Sequence, residues 1–161
     1  MVTSAVALGS NLGDRQAHLD HAIFRLQSLL HSLKVSRYRE TAPVGVTGPH
    51  RLFLNAAAVG VTDLSARELL DRLLGIERER DRERPYANAP RTLDLDLILF
   101  GDAVIEEHDL AIPHPRFRER RFVLEPIAEI APDLVDPVSG LTVRDLLDRT
   151  CPPSGGPGRS G

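Results

Sequence analysis

The sequence is short of several residue types, and each shortage excludes a class of protein. Its single cysteine, Cys151, excludes an internal disulfide bond and fits a reducing compartment. It has no tryptophan, and aromatic residues make up only 4%, too few for the platform on which single-stranded RNA-binding modules stack bases. Its net charge of −3 provides no basic field that would attract nucleic acid or an anionic membrane.

Long hydrophobic segments are also lacking. No apolar run approaches the length of a membrane span, and the N-terminal segment turns polar within ten residues, unlike a secretory leader. The shares of hydrophobic (42%) and charged (27%) residues are ordinary for a globular protein. We therefore expect one domain over residues 1–150 and a flexible tail over 151–161, in a monomeric cytoplasmic protein without nucleic-acid or membrane partners.

Hydrophobic periodicity predicts the elements of an α+β fold. Strands are predicted at residues 2–8, 35–41, 52–61 and 92–100, with a short partner strand at 103–105. Helices are predicted at residues 16–30 after the N-cap Asp14, from the capping box of Ser65 and Glu68, at 122–129 and at 143–149. The order β-α-β-β-α-β predicts a ferredoxin-like sandwich, with helices on one face of an antiparallel sheet and a C-terminal extension.

The segment TLDLDLILF, residues 92–100, alternates leucine with other residues as a half-buried strand does. One predicted face carries leucines, namely Leu93, Leu95, Leu97 and Leu99. The other face carries Asp94, Asp96 and Ile98. Aspartates two apart on a strand have alpha carbons roughly 6–7 Å apart, so both carboxylates can bind one divalent cation or a pair of them. The alternative is a solvated strand face. Oxygen ligands alone favour Mg²⁺, and no Cys/His spacing supports zinc.

Arginines surround this strand in the sequence. Arg82 and Arg84 lie in the preceding loop, and Arg91 stands three residues before Asp94. A second loop contains His114 and further arginines, namely Arg116, Arg118, Arg120 and Arg121. The loop before the strand can be a solvated helix end with weak mixed-sign ion pairs. Two arginine-rich loops beside paired carboxylates are, however, typical of phosphoryl transfer.

Asn55 is a polar residue in an otherwise apolar predicted strand. A buried amide without partners costs about 1–3 kcal/mol, so Asn55 requires either a bond to a neighbouring loop backbone or a ligand. Phe53 shares its face, and Phe122 follows the second arginine loop. The two rings can sandwich a flat heterocycle whose edge Asn55 binds.

Six segments in order resemble one enzyme family. They are ALGSNLGDR at 7–15, YRETAPVG at 38–45, FLNAA at 53–57, PRTLDLDLILF at 90–100, IPHPRFRERRFVLEP at 112–126 and EIAP at 129–132. The family is 6-hydroxymethyl-7,8-dihydropterin pyrophosphokinase, and the resemblance covers about residues 2–150. It implies a ferredoxin-like fold and transfer of pyrophosphate from ATP to the pterin, with release of AMP in folate biosynthesis.

The resemblance also implies a role for individual residues. Asp94 and Asp96 would hold two Mg²⁺, and Arg82 and Arg91 would act with them as catalytic residues. The pterin pocket would be formed by Thr41, Val44, Phe53, Asn55 and Phe122. The ATP site would be formed by Glu77, Arg82, Arg84, Arg91, Ile98, His114 and Arg120.

One loop departs from the family pattern. The family usually has Gly-Arg at its start and an aromatic-Gly-Pro-Arg at its end, where this chain has Asp81-Arg82 and Asn88-Ala89-Pro90-Arg91. A stiffer, more acidic loop would close more slowly over ATP, and lid motion often limits turnover. A catalytically weakened relative that binds pterin or nucleotide is therefore the alternative hypothesis.

Overall fold

The computed structural model describes residues 1–42, 52–80 and 92–150, and these form seven strands and four α-helices. The strands are β1 (Val2–Ser10), β2 (His31–Val35), β3 (Arg39–Thr41), β4 (Phe53–Thr62), β5 (Asp94–Phe100), β6 (Ile105–Glu107) and β7 (Leu110–Ile112). The helices are α1 (Arg15–Leu26), α2 (Ala66–Arg80), α3 (Arg121–Ile130) and α4 (Val143–Arg149). Within this part of the chain, no helix combines the length and apolar character needed to cross a membrane.

The main sheet is antiparallel and has the strand order β2-β4-β1-β5, with β3 paired to β4 beyond the end of β2. Strands β6 and β7 form a separate hairpin. The two long central strands, β1 and β4, extend over nine and ten residues and consist mainly of small and β-branched residues. The predicted ferredoxin-like α+β fold is confirmed.

Local capping explains where the first two helices begin. The Asp14 carboxylate accepts a hydrogen bond of 3.1 Å from the Ala17 N–H at the start of α1. Ser65 and Glu68 form the reciprocal bonds of a capping box at the start of α2. The sequence predicted both the N-cap and the capping box, and both predictions are confirmed.

Helices cover both faces of the sheet. Helices α1 and α2 pack on the face that carries Leu8 and Leu95. Helices α3 and α4 pack on the opposite face, against Ala57 and Val59. The prediction of helices on one face therefore holds for α1 and α2 only, because the C-terminal extension folds back over the other side.

A β-bulge in β5 divides its apolar residues between the two cores. Ala5 of β1 lies opposite Leu99 and Val6 lies opposite Leu97, so Ile98 is an extra residue in the ladder. As a result, Leu99 joins Ile98 in the core beneath α3 and α4, while Leu97 lies in the core beneath α1 and α2. The prediction that Leu99 shares a face with the other leucines was wrong, because alternation cannot continue through a bulge.

Other element boundaries differ from the prediction for local reasons. The strand predicted at 35–41 is interrupted, because the Ser36 hydroxyl accepts the Ala57 N–H at 2.9 Å and one extra residue enters between β2 and β3. Helix α1 ends at Leu26 instead of residue 30. Just after this end, the Ser28 hydroxyl donates to the Arg25 carbonyl. The short strand after residue 102 begins at Ile105 and pairs with β7.

Candidate active site

The candidate site lies on the sheet face that also carries α3 and α4. Residues directly opposite each other in antiparallel strands share a face. Asn55 of β4 lies opposite Gly9 of β1, and Gly9 lies opposite Asp94 of β5. In the next row, Ala7 lies opposite Asp96. The Asn55 amide and the two carboxylates thus lie on either side of a strip formed by Gly9 and Ala7 of β1. Because these residues are small, the strip leaves space above the sheet.

Helices α3 and α4 cover only part of the β5 face that carries Asp94, Asp96 and Ile98. Ile98 is 1% exposed and belongs to the core beneath that layer. Asp94 is half-buried and Asp96 is exposed. The helical layer therefore covers one end of the strand face and leaves the carboxylate end accessible.

A backbone bond holds His114 beside β5. Its N–H donates to the Ile98 carbonyl at 3.0 Å, which places the residue beside β5. Burial lowers the pKa of the His114 imidazole; the nearby Asp96 carboxylate raises it, while Arg120 and Arg116 lower it further. The Arg116 N–H points at Nδ1 of the ring at 3.3 Å, which assigns the proton of the neutral ring to Nε2.

Arg120 and Phe122 stand at the start of α3. The guanidinium carbon of Arg120 lies 5.7 Å from the centroid of the Phe122 ring, within cation–π range. Arg120 also influences the pKa of His114, so the two basic groups are close together. The structure therefore brings Phe122, Arg120, His114 and Asp96 to one side of the sheet.

Asn55 is 8% exposed and is oriented by a neighbouring strand. The Thr41 hydroxyl donates to Asn55 Oδ1 at 2.5 Å, which assigns Nδ2 to the side facing Gly9. This partner is a side-chain hydroxyl, whereas the two alternatives raised by the sequence were a loop backbone and a ligand. Phe53 lies opposite Thr41 on the same face.

Glu77 reaches β5 from the α2 side. The residue is 5% exposed, and its carboxylate accepts the Leu95 N–H at 2.7 Å. Leu95 is the residue between the two aspartates, so Glu77 supports the backbone of the strand that carries them. A contact of Glu77 with ATP stays a prediction.

Sequence reasoning missed two residues that shape this region. Gly9 leaves the space between Asn55 and Asp94 open, and a glycine inside a strand is the signal that would have indicated a close approach. Asp136 binds Arg118 of the second arginine loop from far along the chain, and no sequence spacing indicates that pair. The predicted site residues Val44, Arg82, Arg84 and Arg91 lie outside the described residues.

The described donor set fits a magnesium ion that shares its shell with a substrate. In residues 1–42, 52–80 and 92–150, no group of three or more His, Cys, Asp or Glu residues could hold a metal unaided. Asp94 and Asp96 offer oxygens only, on an accessible strand face. Mg²⁺ is commonly held by one or two carboxylates, with waters and substrate phosphates completing its shell.

Comparisons with known proteins identify related sequences. Residues 5–132 match the family model described as 7,8-dihydro-6-hydroxymethylpterin-pyrophosphokinase (HPPK). The 2-amino-4-hydroxy-6-hydroxymethyldihydropteridine pyrophosphokinase of Synechocystis is 42% identical over 147 residues, which cover 91% of this chain and 75% of the relative. The protein of the same name from Bacillus subtilis is 45% identical over 131 residues, which cover 78% of this chain and 75% of the relative.

A solved structure shares the fold. The wild-type HPPK-DHPS of Plasmodium falciparum superposes with a TM-score of 0.73 over 91% of this chain, at 15% identity. The match covers 44% of that longer chain. At this identity the likeness concerns the fold alone.

Proposed function

The chain belongs to the 7,8-dihydro-6-hydroxymethylpterin-pyrophosphokinase family, and on that premise we propose that it transfers pyrophosphate from ATP to 6-hydroxymethyl-7,8-dihydropterin. The products are the pterin diphosphate and AMP, and the reaction is a step of folate biosynthesis. The observation that carries the proposal is the placement of Asn55, Asp94 and Asp96 on one open sheet face.

The reaction joins two substrates in line. The hydroxymethyl oxygen of the pterin forms a bond to the β-phosphorus of ATP and loses its proton. The bond from that phosphorus to the α,β-bridging oxygen breaks, and its electron pair leaves with AMP. Phosphoryl transfer of this kind depends on positioning and on stabilising charge on the phosphate oxygens. Correct orientation of two substrates can lower the barrier by roughly 7–11 kcal/mol.

Asp94 and Asp96 are the proposed magnesium ligands. Both carboxylates lie on one face of β5 and supply the oxygen ligands that Mg²⁺ prefers. Bound Mg²⁺, two ions by the family pattern, supplies positive charge at the ATP phosphates.

The proposed pterin pocket uses the orientation of Asn55. Its Oδ1 already accepts one bond from Thr41 and retains a second lone pair, while Nδ2 provides donors towards the strip above Gly9. One amide can thus pair with a donor and an acceptor on the edge of a pterin. Phe53 and Phe122 supply the aromatic faces, and Val44 completes the predicted set.

The proposed ATP site uses the segment around His114. With Nδ1 occupied by a backbone N–H, the neutral ring donates from Nε2, which suits a phosphate oxygen. Arg120 adds a fixed positive charge beside it. Ile98 contributes through its carbonyl, which anchors His114. The remaining proposed ATP-binding residues are Glu77, Arg82, Arg84 and Arg91.

A direct assay tests the function. Purified protein is mixed with ATP, Mg²⁺ and 6-hydroxymethyl-7,8-dihydropterin, and the nucleotide products are separated by chromatography. We expect one AMP for each pterin consumed and no product when Mg²⁺ is chelated. Formation of ADP would contradict the pyrophosphokinase proposal, and binding of both substrates without product would identify a weakened relative. Monomeric state and cytoplasmic location stay predictions; light scattering tests the first and cell fractionation the second.

A further inference from the structure

Asp136 is a buried carboxylate with a complete set of partners. Its side chain is 0% exposed. The Arg118 guanidinium donates to both of its oxygens, from Nε at 2.5 Å and from Nη2 at 2.9 Å. The Val138 N–H and the Ser139 hydroxyl donate to the same carboxylate at 3.0 and 2.7 Å. A two-pronged charged bond of this kind fixes direction as well as distance.

The arginine of this pair stands inside the proposed ATP-binding segment. Arg118 is the central residue of the 3-10 turn Phe117–Glu119, between His114 and Arg120. The Phe117 N–H donates to the His114 carbonyl at 3.3 Å, and the Arg120 N–H donates to the Phe117 carbonyl at 3.2 Å. The backbone positions of His114 and Arg120 are therefore linked through the turn that Arg118 anchors.

Asp136, which carries the carboxylate of this pair, lies in a hydrogen-bonded turn. The Asp136 N–H donates to the Leu141 carbonyl at 2.8 Å, and the Gly140 N–H donates back to the Asp136 carbonyl at 2.8 Å. Gly140 has a φ of +76°, which glycine adopts without strain. The turn leads directly into α4, which packs with α3 in one core.

From this geometry we propose that Asp136 is a positioning residue of the ATP site: through Arg118 it holds the turn that aims His114 and Arg120 at the nucleotide. The inference rests on the proposed function, since the ATP contacts of His114 and Arg120 belong to that proposal. Asp136 itself touches no substrate. Misplacing a group by about 1 Å can cost a factor of about 100 in the rate of a reaction, and a loosened turn would in the same way weaken the contacts of His114 and Arg120 with ATP.

The test compares ATP affinity in four variants. Calorimetry measures binding of ATP with Mg²⁺ and without pterin, so that nothing is turned over. We expect Asp136→Asn and Arg118→Gln to weaken ATP binding about 10- to 100-fold. Arg118→Lys keeps the charge and loses the two-pronged bond, so its ATP affinity should lie between that of these variants and that of wild type. The double variant Asp136→Asn/Arg118→Gln should be no weaker than either single variant, because the two residues act as one unit.

A matched control separates positioning from general stability. Arg67 of α2 is also paired with an aspartate, because its Nη1 donates to both oxygens of Asp109, at 2.8 and 2.9 Å. Arg67→Gln should leave ATP affinity and the KM for pterin within about twofold of wild type. The Asp136 and Arg118 variants should likewise leave pterin binding nearly unchanged, a selectivity that loss of stability alone would not produce.

The outcomes distinguish the inference from the function it rests on. Wild-type protein that binds no ATP would overturn the proposed function and the positioning role together. If wild type binds ATP and the folded Asp136→Asn and Arg118→Lys variants bind it equally well, the positioning role alone would be overturned. If Asp136→Asn does not fold, Arg118→Lys decides: unchanged ATP affinity contradicts the inference, and a selective loss of ATP affinity supports it.

Discussion

Gly9 faces the side-chain amide of Asn55, so that a methyl group added at Gly9 would lie 3.2 Å from Asn55 Nδ2. Such a contact is tighter than an ordinary van der Waals contact, and the amide would have to shift by a few tenths of an ångström. Because Asn55 is held by Thr41 on its other side, the shift changes the direction in which its donors point.

We therefore predict that Gly9→Ala raises the KM for the pterin several-fold while the KM for ATP changes little. Steady-state kinetics with each substrate varied in turn checks this. Gly75→Ala is the matched control, because Gly75 lies within α2 and an added methyl there would approach only the end of Arg78, at 3.9 Å. The control should gain about 0.5–1 kcal/mol of stability with unchanged kinetics. An equal rise in both KM values for Gly9→Ala would contradict the assignment of this strip to the pterin.

The bond between Thr41 and Asn55 leads to a second prediction. Thr41→Val keeps the shape of the side chain and removes the donor, so the amide loses its fixed orientation at a cost of about 1 kcal/mol. We expect the KM for the pterin to rise about fivefold. Thr62→Val removes a hydroxyl that accepts the Leu64 N–H at the far end of β4; it should lower the melting temperature and leave this KM unchanged. A Thr41→Val enzyme with wild-type pterin kinetics would show that the hydroxyl does not orient Asn55.

The sequence predicted those parts of the fold that depend on local pattern. Period-two alternation placed Asp94 and Asp96 on the face opposite Leu95 and Leu97, because burial imposes that period on a strand. Capping residues located the first turns of α1 and α2 because a cap acts within its own helix.

The parts that escaped prediction depend on distant partners. The bulge at Ile98 is defined only against β1, so alternation within β5 misplaced Leu99. The apolar residues of α3 indicate burial, but which sheet face they cover is set by the whole C-terminal segment. Four neighbouring arginines look equivalent in the sequence, and only the fold shows that Arg118 binds Asp136. The role of His114 was suggested by family resemblance, whereas Asn55 was already indicated by its place in an otherwise apolar strand.

The third prediction concerns the metal site. Asp96 is exposed, so Asp96→Asn should change the free energy of unfolding by no more than about 0.5 kcal/mol without ligands. Mg²⁺ with ATP should raise the melting temperature of wild type, because a ligand that binds only the folded state stabilises it. The rise should be much smaller for Asp96→Asn, and turnover should be lost. Asp102→Asn, at an exposed site just beyond β5, should behave as wild type. Full Mg²⁺-dependent turnover by Asp96→Asn would exclude it as a metal ligand.

The last prediction is a pH dependence of stability. Burial raises the pKa of Asp136, but hydrogen bonds from Arg118, Ser139 and the Val138 N–H outweigh it and bring the pKa to about 2. The unfolded value is about 3.9, so the folded pKa is depressed and the carboxylate stabilises the fold at pH values above the unfolded pKa. This contribution is lost as the pH falls through the folded pKa and amounts to about 2 kcal/mol.

Urea unfolding of wild type and Asp136→Asn between pH 6 and pH 2.5 measures this contribution. The difference in stability between the two proteins should be largest near pH 6 and should shrink steadily below about pH 4, because protonation removes the charge that the variant already lacks. Arg118→Gln should weaken the same dependence, since its guanidinium is the main donor to the carboxylate. A stability difference that stays constant down to pH 2.5 would mean that the Asp136 carboxylate does not bind its partners as a charged group.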